Sequence, residues 1–180
     1  MIYLNTERLL LRFIRQSDLF KVHAMNLYPE VNEFNTLSKP ANYDETVALH
    51  QPLIDEAKLE DVRRYTFSVL LKPDNVFIGL IALNLAPDRY KSGEVWYRLD
   101  PKFWGRGYAS EALHCVLNFG FDQLSLHRIE AGCAVDNVAS VKVLEKVGMQ
   151  REGQKRLALP LISGWSDNYE YAILAEEFRA

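Results

Sequence analysis

Trp104-Gly105-Arg106-Gly107-Tyr108-Ala109-Ser110 sets two glycines directly ahead of a helical pattern. Ala109, Ala112, Leu113, Val116, Leu117 and Gly120 follow at the spacing of one helix face. A glycine turn in that position leaves main-chain N–H groups aimed outward at a helix N-terminus, where the helix dipole favours an anion. Glycine also lets a phosphate approach the backbone and tolerates positive φ. The candidate donors are the N–H groups of Gly105, Arg106, Gly107, Tyr108, Ala109 and Ser110, with the Arg106 side chain as a further charge. The run is not a Walker A loop, because no Gly-Lys-Ser/Thr follows. It is not G-x-G-x-x-G either, because Ser110 stands where the third glycine would be. On spacing alone, an anion site and a tight turn without a ligand remain equally open.

The second chemical pattern is Asn137-x-x-Ser140. Asp136 and Asn137 are both good N-caps for a helix through Val147, and Gly148 suits its C′ position. Ser140 then lies on the first turn.

Several elements must position these groups. Arg8 to Ile14 reads as a strand, and Asp18 starts a helix to about Tyr28. Residues 29–42 read as irregular. A helix is expected over Tyr43 to Asp61, kinked or restarted at Pro52. Residues 65–85 read as a hairpin turning at Lys72-Pro73-Asp74-Asn75. Glu94 to Leu99 reads as a strand leading into the glycine run, Arg128 to Ala134 as the next strand, and Tyr169 to Leu174 as the last, after a loop at Pro160 to Asn168. The fold class is therefore α/β (α+β): a mixed, mostly antiparallel sheet with helices on its faces. Residues 1–180 are expected to form one domain.

The glycine run resembles the acetyl-CoA pyrophosphate loop of the GNAT superfamily of N-acetyltransferases, whose pattern is Gln/Arg-x-x-Gly-x-Gly/Ala. Gly107 and Ala109 match, and Trp104 departs from Gln/Arg. That departure is common in the branch similar to RimJ and RimL, the ribosomal-protein N-terminal acetyltransferases. Thr6-Glu7-Arg8-Leu9-x-Leu11-Arg12 resembles the opening of that branch, and His127-Arg128-Ile129-Glu130-Ala131 with Asn137-x-x-Ser140 resembles the second half of its cofactor site. Leu144-Glu145-Lys146-x-Gly148-Met149 and Gly164-Trp165-x-Asp167 resemble its later segments.

The resemblance implies direct attack of a neutral amine on the thioester of acetyl-CoA, with no acyl-enzyme. It implies that the strands at Glu94–Leu99 and Arg128–Ala134 splay apart and admit pantetheine, bonded to main-chain groups near Tyr97 to Leu99. Such binding is strand addition by a ligand. A main-chain N–H at Tyr97 or Arg98 is then the candidate oxyanion donor. Asn137 is a candidate pantetheine ligand, and equally a plain N-cap. Ser140 is the candidate group to protonate or hydrogen-bond the leaving thiolate. Trp165 and Asp167 are candidate acceptor contacts. No general base is assigned by the resemblance; Glu94 and Glu130 are candidates as strand carboxylates near the splay, with Glu94 taken as the catalytic one. An α-amine (pKa ~7.8) needs roughly 1 kcal/mol to deprotonate at pH 7 and a lysine nearly 5. An enzyme without a strong base therefore suits a protein or peptide N-terminal α-amine. Acetylation of a small amine (polyamine, antibiotic or amino acid) and coenzyme A binding without turnover are the rivals. The acceptor segments are 29–42, 86–92 and 159–168, and a homodimer is allowed by the resemblance.

Composition fits this reading. With 21 Lys+Arg against 24 Asp+Glu, the net charge of −3 gives no reason to expect nucleic acid as a partner. Two cysteines, Cys115 and Cys133, make no disulfide framework and are expected to be buried thiols. The four histidines form no metal-ligand spacing, so no metal is expected. Charges at Glu7, Arg8, Arg12, Arg15 and Asp18 break any signal-peptide core, and no apolar run is long enough for a membrane helix. A cytoplasmic protein with no membrane partner is expected.

Overall fold

The structure, a computed structural model, describes residues 2–36 and 39–178. Leu37 and Ser38, within the expected acceptor segment 29–42, lie outside the described residues. The strands are β1 (Tyr3–Asn5), β2 (Leu9–Phe13), β3 (Arg64–Leu71), β4 (Val76–Leu85), β5 (Ser92–Leu99), β6 (Arg128–Ala134), β7 (Gln150–Leu161) and β8 (Gly164–Leu174). They form one sheet in the order β1-β2-β3-β4-β5-β6-β8-β7. Every pairing is antiparallel except β5 with β6, which is parallel.

Helices α1 (Leu19–Asn26), α2 (Pro29–Asn32) and α3 (Tyr43–Glu56) pack on one face of the sheet. There Leu19, Val22, Met25 and Ile54 bury themselves against Leu70, Phe77 and Leu80. Helices α4 (Tyr108–Asn118) and α5 (Val138–Lys146) cover the other face, and α6 (Ala175–Phe178) ends the description. On α4 the buried residues Ala112, Leu113, Val116 and Leu117 occupy the stripe that the spacing gives, against Ile81, Leu83, Val95 and Ile129. At roughly 1.5–3 kcal/mol for each buried Leu or Val, this face fixes the helix, and with it the glycine loop, to the sheet.

Four expectations need correction. The helix from Tyr43 runs unbroken through Pro52 and stops at Glu56, not Asp61. Its stop has a cause: the Glu56 carboxylate accepts the main-chain N–H groups of Arg63 and Arg64 at 3.1 and 2.8 Å, turning the chain into β3. Residues 29–42 contain the helical turn α2. The loop expected at 160–168 is instead the tip of a long hairpin, with β7 and β8 joined through residues 162–163. β7 carries Gln150, Arg151, Glu152, Gln154, Lys155 and Arg156, mostly exposed. It is an edge strand, and with no apolar alternation nothing in its sequence marks it as one. Of the two thiols, Cys133 is buried but Cys115 only half-buried.

Candidate active site

The parallel pair β5–β6 is short. Ser92 faces Arg128, Gly93 faces Ile129 and Glu94 faces Glu130, and there the pairing ends. Both strands run on, β5 to Leu99 and β6 to Ala134, without bonding each other. The middle of the sheet therefore opens from a vertex at Glu94/Glu130.

The walls of that opening follow from register. The Asp100 N–H bonds Ile78 O at 2.9 Å on β4. In an antiparallel ladder, alternate residues point their main-chain groups to opposite sides. Arg98 therefore faces β4, while Val95, Tyr97 and Leu99 turn N–H and C=O toward the gap. Of the two expected oxyanion donors, Arg98 is thereby spent on the ladder and Tyr97 is not. The Leu99 carbonyl is taken by the Trp104 indole N–H at 2.8 Å. On β6, Val135 N–H bonds Asp167 O on β8 at 3.2 Å, so Gly132 and Ala134 face the gap by the same alternation. Ala134 gives its carbonyl to the Asn137 N–H at 3.0 Å.

The wide end of the gap meets the glycine loop. Gly105 has φ +73° and Gly107 has φ +80° and ψ 3°, so the chain enters α4 through a left-handed turn. Gly107 is the N-cap without a side-chain cap. The first helical bond is from Glu111 N–H to Gly107 O at 3.1 Å, which leaves the N–H groups of Tyr108, Ala109 and Ser110 with no intrahelical acceptor. This is a concave set of donors at a positive helix end, and a Cβ on Gly105 would meet nothing within 4 Å. The residues fit a diphosphate.

The two faces at the gap differ in chemistry. On the α5 side the Tyr97 hydroxyl lies 2.8 Å from Ser140 Oγ. Asn137 caps α5, its Oδ1 accepting the Ser140 N–H at 3.1 Å. Cys133 stands beside Ser140, its thiol pushed up to about 11 by burial. Burial also drives the Tyr97 phenol well above its ordinary value, against the Ser140 bond. Strand alternation puts Glu94 on the opposite face, with Glu130 and Glu170. Glu130 is paired with Arg128 at 2.6 Å, and Glu170 with Lys155 at 2.8 Å and the Asn168 amide at 2.5 Å. Among the described residues Glu94 has no hydrogen-bond or ion-pair partner. Partial desolvation, then the charges of Glu130 and Glu170, raise its carboxyl above the usual range.

The remaining expected residues separate. Trp165 is exposed on β8 near the hairpin tip. Asp167 accepts from Gln154 Nε2 at 2.6 Å and from the Leu157 N–H at 2.8 Å. It braces the bulge in β7 where Leu157 has φ +48°. The Arg106 side chain is exposed, with its guanidinium 6.0 Å from the Phe103 ring centre. Sequence reasoning passed over the Tyr97 hydroxyl, naming only that residue's main chain. It also passed over the Arg98 side chain, whose guanidinium donates to Asn26 Oδ1 at 2.7 Å but has no carboxylate partner among the described residues. Neither has a sequence signal beyond strand alternation.

Among the described residues, no group of three or more His, Cys, Asp or Glu could hold a metal ion, and no helix is long and apolar enough to cross a membrane.

Comparison with known proteins agrees with this geometry. The acetyltransferase (GNAT) domain family matches residues 8–150. The uncharacterized N-acetyltransferase YnaD of Bacillus subtilis is 39% identical over 114 residues, 62% of this chain and 65% of that protein. The spermidine N(1)-acetyltransferase of Vibrio cholerae is 27% identical over 147 residues, 81% of each chain. Among solved structures, a GNAT-family acetyltransferase from Bacillus anthracis superposes with a TM-score of 0.85 at 31% identity, covering 98% of this chain and 100% of that one. Mycobacterium smegmatis RimJ, in complex with CoA-disulfide, superposes with a TM-score of 0.85 at 26% identity, covering 96% and 84%. With its splayed strands and its uncapped glycine-loop amides, the chain belongs to the GNAT family and is an acetyl-CoA-dependent N-acetyltransferase.

Proposed function

We propose that the acceptor is the α-amine of a protein or peptide N-terminus, arriving on the Glu94 face of the gap. One observation carries this reading: the unpaired Glu94 carboxylate stands at the vertex, on the face opposite Tyr97 and Ser140. Acetyl-CoA supplies an activated acetyl thioester. The amides of Gly107 to Ser110 hold its diphosphate, and the gap-facing main chain of Val95, Tyr97, Leu99 and Gly132 holds pantetheine as an added strand. The Tyr97 N–H is the donor for negative charge developing on the acetyl oxygen.

Glu94 attracts the cationic amine and takes its proton, directly or through water. Its raised carboxyl narrows the distance to an α-ammonium, whose proton costs roughly 1 kcal/mol to remove at pH 7 against nearly 5 for a lysine. Tyr97 and Ser140 act on the leaving sulfur by hydrogen bonding, not by full proton transfer. A phenol held above its ordinary ~10 gives up a proton to a thiolate of ~8.5 only uphill, by ~2 kcal/mol or more. The Glu94 and Glu130 side chains are exposed on their strands, which leaves them within reach of a chain end. The row Glu94, Glu130, Glu170 also favours a polyamine, which is the second reading, and the V. cholerae relative carries that name.

The test is a thiol-release assay with acetyl-CoA and an amine panel: peptides with free N-termini, the same peptides blocked at the N-terminus but carrying lysine, spermidine, and free amino acids. Free N-termini are expected to give the highest kcat/KM. A higher value for spermidine hands the site to the polyamine reading. No acetyl-CoA binding by isothermal titration at millimolar ligand removes both.

A further inference from the structure

The amino-terminal run Thr6-Glu7-Arg8 lies nearly a hundred residues before the glycine loop, yet two of its residues converge on it. Thr6 Oγ1 donates to Glu111 Oε1 at 2.5 Å, and the Arg8 main-chain N–H donates to the same oxygen at 3.1 Å. The Arg8 guanidinium grips the other oxygen, with Nε at 2.7 Å and Nη2 at 2.5 Å. Its remaining nitrogen, Nη1, donates to the Arg106 carbonyl at 3.1 Å, and the guanidinium lies 4.5 Å from the centre of the Tyr108 ring. The contacts therefore join the start of β2, the first turn of α4 and the loop itself.

We infer that Arg8, held by Glu111 and Thr6, is a positioning residue that sets the direction of the diphosphate-binding amides. The inference rests on the coenzyme reading of the loop. In a trans peptide the C=O and the following N–H point in opposite directions. Fixing the Arg106 carbonyl toward Arg8 turns the Gly107 N–H away from it, on the far side of the loop. Gly107, left-handed, borders this peptide plane and eases its rotation, so an outside anchor decides where it faces. The brace adds little to global stability: Arg8 is 43% exposed, and exposed ion pairs contribute at most about 1 kcal/mol. Its value lies in a preformed loop, since a loop that orders only on binding weakens affinity by its ordering cost.

The sign of one substitution separates this from plain electrostatics. Glu111→Gln removes a negative charge beside a site for an anion. Charge alone predicts tighter coenzyme A binding. The brace predicts weaker binding, because the Arg8 fork loses its charged partner, with Kd for coenzyme A rising about ten-fold, the equivalent of one charge-assisted hydrogen bond. Arg8→Gln is expected to do the same, and Arg8→Lys to restore little, because a lysine keeps the charge but cannot reach Glu111 and Arg106 together. Thr6→Val, the mildest change, gives a smaller rise and serves if the others fail to fold.

The measurements are Kd for coenzyme A by calorimetry, the melting temperature, and turnover of S-acetylpantetheine, which has no diphosphate. The brace requires weaker coenzyme A binding with unchanged turnover of the truncated donor. Glu111→Gln that binds as well as or better than wild type overturns it, as does full rescue by Arg8→Lys or an equal loss with the truncated donor. Wild-type protein that binds no coenzyme A overturns the loop reading itself; wild type that binds while the variants match it removes only the brace.

Discussion

Replacing Tyr97 by phenylalanine removes one oxygen, 2.8 Å from Ser140 Oγ, and leaves the ring packed against the core on the α4–α5 face. If this hydroxyl stabilises the departing sulfur, the loss is one hydrogen bond to a charged group, about 1.5–3 kcal/mol. At 1.36 kcal/mol per decade, that is a fall in kcat of about 10- to 150-fold. The same bond is absent from the ground state, where the sulfur is a neutral thioester, so KM for acetyl-CoA is expected to move less than about two-fold. Ser140→Ala leaves the phenol in place and is expected to cost less than Tyr97→Phe. The double variant is expected to lose little beyond Tyr97→Phe, because the two hydroxyls act on one atom. Thiol release in a single turnover, with enzyme in excess, reads the chemical step without product release. A Tyr97→Phe rate within a factor of about two of wild type would refute the assignment, since no hydrogen bond to a developing charge is worth so little. Equal loss in kcat and rise in KM would show that the phenol only shapes the gap.

Gly107→Val forces a β-branched residue to φ +80° and is expected to raise KM for acetyl-CoA by about ten-fold or more, while Gly107→Asn, which tolerates left-handed backbone, raises it less; equal KM values for both and wild type would make the loop a turn only. Asp18, buried with Arg12 at 2.7 Å, loses water to burial, which alone would raise its carboxyl, but the bonds from Arg12, Ser68 and the Arg15 N–H outweigh that and hold it low. A lowered folded pKa means stability present above the unfolded value of ~3.9 and lost as pH falls through the folded one. Asp18→Asn is therefore expected to cost about 3–5 kcal/mol in urea unfolding at pH 7, with the gap to wild type narrowing below about pH 4. Cys133, its thiol near 11, is about one part in a thousand thiolate at pH 8, so activity is expected to resist iodoacetamide there and to survive Cys133→Ala; stoichiometric alkylation with loss of activity would contradict the direct-attack route.

The parts of the site that are local in the chain were legible early. The stripe from Ala109 to Leu117 marked α4, two glycines ahead of it marked a turn of positive φ, and Asn137 and Gly148 marked the ends of α5; all three depend on contacts within a few residues. The edge hairpin was not legible, because β7 buries too little to need apolar alternation. The end of α3 was missed for a related reason: the amides that Glu56 takes belong to residues seven and eight positions on, a reach that no capping rule covers. Trp165 and Asp167 sat in a segment read as a loop, so the strand geometry that leaves Trp165 exposed and occupies Asp167 with Gln154 and Leu157 could not be foreseen.

By itself, the sequence determined the order of the elements from β2 to α5 apart from α2, the two-glycine turn ahead of α4, and the family pattern that points to acetyl-CoA, since each depends on residue type and short spacing. Tertiary structure alone decided that the parting of β5 and β6 begins at Glu94, that the Tyr97 hydroxyl meets Ser140, and that Arg8 reaches across to the loop. Each of these joins residues more than thirty positions apart. The contact exists only once the strands are laid side by side, because a side chain's partner is set by register and sheet face, neither of which is written in any short stretch of the chain.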